Sequence, residues 1–223
     1  FSPIGEFCKN LEYLNLSDSA VTDKSIQPVL VGCPKLKYLR LRHTCVTAIG
    51  LAEIARLCIH LSSLHLDLYV EDSSIVDSFK LLSRSLEHFH GQLHSEVARQ
   101  SAVHWGARMR EVDFSSFVVT DELVQCIAMH CVNLTHFAFE DHTGVISDAA
   151  LVSLSDHCPQ LKVLFIRNGQ NITDNGAIAL ARGCPDLQHL TVSGTVQITP
   201  SAVETLLLSC PKLDTIYHTG LEY

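Results

Sequence analysis

The phrase Cys33-x-x-Leu36-x-x-Leu39-x-Leu41 returns along the chain at a nearly constant interval. Copies begin at Cys8, Cys33 and Cys58, and again at Cys131, Cys158, Cys184 and Cys210. Neighbouring copies lie 25 residues apart in the first group and 26 or 27 apart in the second. A fixed period of this length, built on L-x-x-L-x-L, predicts a stack of similar units that bury their leucines against one another.

Each unit of this stack divides into a strand and a helix. The L-x-L piece alternates, which is typical of a short strand with its leucines pointing inward, and apolar pairs at helical spacing follow it. The sequence thus predicts an α/β leucine-rich-repeat solenoid: a right-handed horseshoe with a parallel sheet on its concave face and helices on its convex face. We expect one domain, 1–223, with eight full repeats and a partial ninth: 8–32, 33–57, 58–82, 83–105, 106–130, 131–157, 158–183, 184–209 and 210–223.

Helix starts carry a recurring polar signal. A hydroxyl residue followed by aspartate stands at one place in several repeats: Thr22-Asp23, Thr120-Asp121, Ser147-Asp148 and Thr173-Asp174. We expect the hydroxyl to accept a hydrogen bond from a free backbone N–H of the first turn. The aspartate is favoured by the positive field at the helix N-terminus. Thr199-Pro200 indicates another start, since proline is well tolerated at the first helical position.

Seven of the nine cysteines occupy the repeat slot, in step with the leucines. Free cysteine behaves as a small, readily buried hydrophobe, so we expect these seven thiols to be reduced and buried. Disulfides are the weaker alternative, and zinc is disfavoured because the sequence has no Cys-x-x-Cys. Reduced thiols predict a cytoplasmic or nuclear protein. The pattern leaves the states of Cys45 and Cys126 open.

Residues 83–115 depart from the repeat. Ser83 takes the cysteine slot and Gly91 takes an inward leucine slot, so we expect this to be the weakest stretch of the solenoid. Trp105, the only tryptophan, lies beside this joint. It either fills the core where the period shortens or marks a local bulge that shapes a binding site.

Charge and motifs exclude several classes of function. The formal net charge of −8 disfavours a nucleic-acid partner, and no apolar run approaches the 18 residues of a membrane span. No nucleophile elbow, phosphate-binding loop, zinc-protease helix or dinucleotide fingerprint is present. We therefore expect no enzyme and no cofactor. A solenoid instead exposes a long surface for binding.

The outward positions of the strands give the candidate binding residues, because they face solvent on the concave side. Large aromatic residues and arginines are the usual anchors of interfaces. The predicted partner-binding residues are Tyr13, Tyr38, Arg40, Arg42, His65, Asp67, His88, His90, Asp113, Phe165 and Arg167. A metal site among the central histidines is an alternative to a solvated polar surface, and these histidines predict pH-sensitive binding.

The combination of C-x-x-L-x-x-L-x-L with I/V-T-D resembles the cysteine-containing class of leucine-rich repeats, most closely at 32–36 and 183–187. That class is similar to the repeat region of F-box/leucine-rich-repeat proteins, the substrate receptors of cullin-RING ubiquitin ligases. The resemblance implies a substrate protein on the concave face, and a Skp-type adaptor bound through an N-terminal region. No F-box is recognisable here, and we expect the chain to be a stretch of a longer protein. The alternatives are a structural or adaptor subunit of a large assembly, for example a ciliary one, and a ligand-sensing receptor.

Overall fold

The computed structural model describes residues 1–68, 70, 72–141, 144–195 and 197–218, without the side chains at 115–118 and 218. Its contacts divide the chain into two compact units, Phe1–Arg108 (unit 1) and Met109–Tyr223 (unit 2). This division falls near the predicted boundary between the fourth and fifth repeats. One domain across 1–223 stays a prediction. Among the helices of the described residues, none has both the length and the hydropathy that crossing a membrane requires.

Unit 1 alternates helices with strands and ends in a 3₁₀ turn, Gly106–Arg108. Its helices are α1 (Ser2–Phe7), α2 (Asp23–Gly32), α3 (Ala48–Leu57), α4 (Ser74–Leu82) and α5 (Ser95–Trp105). Its strands are β1 (Tyr13–Asn15), β2 (Tyr38–Leu41), β3 (Ser63–Asp67) and β4 (His88–Gln92). These strands pair in parallel in chain order, so that equivalent positions of successive repeats face each other.

Unit 2 continues the same alternation. Its helices are α6 (Asp121–His130), α7 (Asp148–His157), α8 (Asp174–Gly183) and α9 (Pro200–Ser209). Its strands are β5 (Glu111–Val118), β6 (His136–Glu140), β7 (Val163–Arg167), β8 (His189–Val192) and β9 (Thr215–His218). They also pair in parallel in chain order, with one register shift between Phe114 and Val118. The predicted strand–helix repeat and parallel sheet are confirmed in each unit.

The core lies between each sheet and its helices. The inward strand positions hold leucine or another large apolar residue, and Leu39, Leu64 and Leu164 are fully buried. Burial alternates along β2, where exposed and buried residues follow each other in turn. A fully buried leucine contributes about 1.5–3 kcal/mol, so the repeated inward row supplies much of the stability.

The predicted helix caps form. The hydroxyls of Thr22, Thr120, Ser147 and Thr173 each accept a hydrogen bond from a backbone N–H in the first turn. Pro200 stands at the first position of α9 as predicted, but the Thr199 side chain makes no cap hydrogen bond. Its hydroxyl donates to Asp174 Oδ2 at 2.8 Å instead.

The aspartate of each helix start has a role beyond the helix field. Asp148 Oδ1 accepts the backbone N–H of Thr173 at 2.8 Å, and Asp148 Oδ2 accepts the Thr173 hydroxyl at 2.6 Å. Asp23 binds Thr47 in the same way, at 2.8 and 2.6 Å. The carboxylate therefore joins the start of one helix to the start of the next.

Six of the seven slot cysteines are buried as predicted, and all nine cysteines are free thiols. Burial raises the pKa of Cys58, Cys158 and Cys184 to about 12, because the thiolate would lose its hydration. The prediction was wrong for Cys8, which follows the last residue of α1 and is exposed. Of the two positions left open, Cys126 is buried and Cys45 is exposed.

Trp105 fills the core of unit 1 and is 1% exposed. Its ring centroid lies 5.6 Å from those of Phe79 and Phe89, and the two phenylalanines meet edge to face at 5.2 Å. Gly91 occupies an inward slot with φ +152°, where a Cβ would lie 1.9 Å from the Leu66 carbonyl oxygen. Close backbone approach therefore explains this glycine, and the core-filling interpretation of Trp105 is confirmed.

Candidate functional site

We use the name outer sheet face for the side of each unit's sheet that does not pack on helices. Register places Tyr13 beside Tyr38 and, in the next row, Arg40 beside His65 and His65 beside His90. Unit 1 thus carries Tyr13, Tyr38, Arg40, Arg42, His65, Asp67, His88 and His90, and unit 2 carries Asp113, Phe165 and Arg167. The contact of these residues with a partner stays a prediction.

An aromatic and basic patch stands on β1 and β2. The rings of Tyr13 and Tyr38 lie 6.3 Å apart between centroids, and Arg40 Cζ lies 5.7 Å from the centroid of Tyr13. Tyr13 is 49% exposed and Tyr38 is 43% exposed. Tyrosine and arginine are among the side chains enriched at the centre of protein interfaces, and here two accessible tyrosine rings lie beside a guanidinium.

Arg42 and Asp67 are held more tightly than solvent-facing residues. Asp67 is only 9% exposed, although the pattern placed it on the solvent side. It accepts a hydrogen bond from Arg42 Nε at 3.2 Å and from the backbone N–H of His43 at 3.2 Å. His43 has φ +55°, so the carboxylate fixes an unusual turn after β2. Asp67 therefore holds both the Arg42 side chain and the turn that follows β2.

The predicted histidine centre is a stack of rings. His65 and His90 lie 4.1 Å apart between centroids with an angle of 2° between their planes, and His88 Nε2 lies 3.9 Å from Glu87 Oε2. Within the described part of the chain, no group of three His, Cys, Asp or Glu side chains is placed to hold a metal ion. Protonating both stacked rings would set two positive charges side by side. Binding that changes with pH stays a prediction.

A pocket of about 230 Å³ opens on the outer sheet face of unit 2. Side chains and backbone of β5, β6 and β7 surround it: Glu111, Val112, Asp113, His136, Phe137, Ala138, Val163, Phe165 and Arg167. Register sets Asp113 beside Ala138 and Ala138 beside Phe165 in one row. The methyl group of Ala138 is short, so the row dips between its two larger neighbours.

Phe165 forms the aromatic wall of this pocket. Its side chain is 38% exposed, so the ring offers apolar area to a partner. The guanidinium carbon of Arg167 lies 5.8 Å from the centre of the ring, within the range of a cation–π contact. Glu111 and Asp113 supply two carboxylates to the wall on β5.

The sequence-based reasoning missed the pocket. Ala138 and His136 stand at outward strand positions but are not among the predicted binding residues, which were chosen mainly for large aromatic and charged side chains. The sequence feature that indicates the pocket is the small residue Ala138, which lies between Asp113 and Phe165 in one row. That signal becomes a cavity only once the registers of three strands are known.

Three stretches match the family model described as Leucine Rich repeat: 7–30, 32–55 and 157–181. No curated protein sequence is significantly similar to the chain. A chain in the crystal structure of the Rad7 and Elc1 complex in yeast is 16% identical with a TM-score of 0.52, over 96% of this chain and 71% of that chain. A chain in the crystal structure of the TLR13–ssRNA13 complex is 16% identical with a TM-score of 0.59, over 98% of this chain and 36% of that chain. This chain thus spans little more than a third of the latter. At such identity the likenesses show the fold alone, which is that of a leucine-rich-repeat solenoid.

Proposed function

We propose that this chain is a protein-recognition module whose outer sheet face binds a partner protein. The observation that carries the proposal is Phe165, a ring 38% exposed on the wall of a pocket, with the guanidinium carbon of Arg167 5.8 Å from the ring centroid. Burying such a ring against a partner removes apolar area from water. Tyr13, Tyr38 and Arg40 offer a second contact of the same kind in unit 1. The proposal includes no catalytic step and no cofactor.

The finer proposal is that the module is the substrate-binding arm of an F-box-type ubiquitin ligase receptor in the cytoplasm or nucleus. The repeat phrase supports it, because that phrase resembles the repeats of F-box/leucine-rich-repeat proteins. A longer protein would carry the F-box and bind a Skp-type adaptor through it. The substrate would then rest on the outer sheet face.

Site-specific cross-linking tests the recognition surface. A benzophenone amino acid placed at Phe165 in the full-length protein, in cells of its source, should capture the partner on illumination. The control carries the same group at Val152, an exposed position of α7 that is 41% accessible. A partner captured at Val152 and never at Phe165 would move the interface to the helix side.

Binding measurements with the captured partner then give the energetic share of each side chain. Phe165→Ala and Arg40→Ala should each weaken binding by more than about 1 kcal/mol, as interface anchors do. Val152→Ala should leave the affinity unchanged. Wild-type affinity in both outer-face variants would reject the outer sheet face as the interface.

The ligase role has its own readout. Deleting the full-length protein should lower ubiquitylation of the captured partner and lengthen its half-life. An unchanged half-life, with the Phe165 cross-link intact, would leave a recognition module of the structural or adaptor kind.

A further inference from the structure

Arg40 is the charged group of the aromatic and basic patch on β1 and β2, which Tyr13 and Tyr38 complete. Within the part of the chain that the structure describes, the exposed Arg40 guanidinium forms no hydrogen bond and no ion pair. Its Cζ lies 5.7 Å from the centroid of the Tyr13 ring. The ring contact orients the guanidinium and leaves its N–H donors open to solvent. An oriented donor loses less side-chain entropy when it binds a partner.

Two carboxylates beside the patch are already matched by other cations. Glu12, which precedes β1, lies 3.0 Å from Lys37 Nζ, and Asp67, at the end of β3, lies 3.2 Å from Arg42 Nε. Arg40 therefore adds one positive charge to the outer sheet face that neither acid neutralises. A single carboxylate would match this charge, whereas a phosphate dianion would bring a second negative charge.

The two units differ in charge. Unit 2 holds 13 acidic and 5 basic residues and so accounts for the whole formal net charge of −8, whereas unit 1 holds 11 of each. Within unit 1, the stretch 9–43, which contains β1 and β2, has six basic and three acidic residues. The field of unit 2 therefore repels an acidic segment, while the stretch around β1 and β2 attracts one.

We propose that the aromatic and basic patch binds an acidic side chain, glutamate or aspartate, of the partner protein, an inference that rests on the proposed function. The Arg40 guanidinium donates a pair of hydrogen bonds to the carboxylate, because its planar fork matches the two carboxylate oxygens. Apolar atoms that flank the carboxylate pack on the exposed rings of Tyr13 and Tyr38. These rings lie side by side, 6.3 Å apart between centroids, so one partner segment contacts both.

A pair of peptides isolates the charge of the partner side chain. The probe is an acetylated, amidated Gly-Ser peptide with Leu-Glu-Leu at its centre, and its match carries Leu-Gln-Leu, which has the same shape without the charge. Each is titrated into isotopically labelled protein and followed through the backbone amides of 13–15 and 38–41 and the Nε–Hε resonance of Arg40. The glutamate peptide should bind about threefold more tightly than the glutamine peptide, or better. Resonances of 163–167 in unit 2 should show no preference for glutamate.

Variants separate Arg40 from the overall charge. Arg40→Gln removes the guanidinium and should abolish the preference for glutamate. Arg84→Gln removes the same charge from an exposed position after α4 and should keep the preference. Arg40→Lys keeps the charge without the planar fork, so it should retain only part of the preference. Tyr13→Ala with Tyr38→Ala should weaken both peptides, because both lose the apolar contact. The dispersion of the amide spectrum shows that each variant is folded.

Equal affinities of the glutamate and glutamine peptides, or equal losses in Arg40→Gln and Arg84→Gln, would overturn the acidic contact. Tighter binding of a phosphoserine peptide with the same flanking residues would assign the patch to a phosphate and overturn it as well. These outcomes are distinct from failure of the recognition function. A partner that cross-links at Phe165 while the patch shows no preference for glutamate retains the function and rejects the acidic contact. A preference for glutamate while no partner cross-links at Phe165 does the reverse.

Discussion

Two stretches of the molecule join their repeats by different interactions. Across 121–199 in unit 2, each helix-start aspartate accepts two hydrogen bonds from the next helix start: Asp121 from Ser147, Asp148 from Thr173 and Asp174 from Thr199. The slot thiols of Cys158, Cys184 and Cys210 form a second row. Each lies 3.4–3.8 Å from the carbonyl oxygen of the preceding slot cysteine, a weak S–H···O contact.

Among the described residues of 58–105 in unit 1, neither row continues. His94 precedes α5 without a side-chain cap hydrogen bond. At α4 the carboxylate of Asp72, in place of the Ser73 side chain, accepts the backbone N–H of Ser74 at 2.9 Å, and Ser83 replaces the slot cysteine. Aromatic packing takes their place, with Phe79, Phe89 and Trp105 buried against one another. Directional bonds need a constant period, because donor and acceptor must meet at every step. The shortened fourth repeat breaks that register, and non-directional apolar contact can still fill the gap.

Among the substitutions that test this comparison, removal of Trp105 should lower the free energy of unfolding most. Trp105→Ala deletes the largest buried side chain of unit 1 and should lower the free energy of unfolding by about 3–5 kcal/mol, since a cavity remains between Phe79 and Phe89. Urea unfolding followed by far-UV circular dichroism measures it. Trp105→Phe keeps most of the packing and should lose clearly less. A loss under 1 kcal/mol in Trp105→Ala would show that the aromatic group does not stabilise this stretch.

Removing one aspartate of the helix-start row should cause the next largest loss in the free energy of unfolding. Asp148→Ala breaks two charge-assisted hydrogen bonds to Thr173, and each such bond is worth about 1.5–3 kcal/mol. Because Asp148 is partly hydrated, we expect the total loss to be about 2 kcal/mol. Asp77→Ala is the matched control, since Asp77 stands in the first turn of α4 and is exposed. Equal losses in the two variants would mean that the bridge adds nothing to the ordinary effect of an acidic first turn.

Because the slot thiols are buried, the free energy of unfolding should fall at alkaline pH. Burial raises the pKa of Cys184 from an ordinary value of 9.0 to about 12, so the folded protein holds its proton while the unfolded chain loses it. The stabilisation is complete below pH 9 and falls as pH rises towards 12. Between pH 8 and pH 10 the wild type should lose about 1.4 kcal/mol more than Cys184→Ala. Urea unfolding of both proteins under reducing conditions measures this difference. An equal loss of stability between pH 8 and pH 10 in the two proteins would contradict the prediction.

Sequence periodicity predicted the alternation of strands and helices and the helix starts, because each depends on residues close in the chain. Thr173 and Asp174 lie side by side, so the start of α8 is a local property. The pocket depends instead on Asp113, Ala138 and Phe165, which come together only when three strands align. The burial of Asp67 depends likewise on a turn at His43 one repeat away. Features that depend on contacts between residues far apart in the chain were therefore not predicted from the sequence.

The uncapped start of α5 should show the smallest difference, as local fraying. The predicted weakness of 83–115 then takes a specific form, since α5 starts at His94 without a cap while α8 starts at Thr173 with one. A helix cap is worth about 1 kcal/mol, so first-turn amides of α5 should exchange roughly fivefold faster than those of α8. Hydrogen exchange read by NMR at single residues resolves this, with the middle turns of both helices as internal controls. His94→Asp would add a capping side chain to α5 and should slow the exchange of its first turn. Equal first-turn rates in α5 and α8 would show that the aromatic core below α5 holds its uncapped end as firmly as the polar row holds α8.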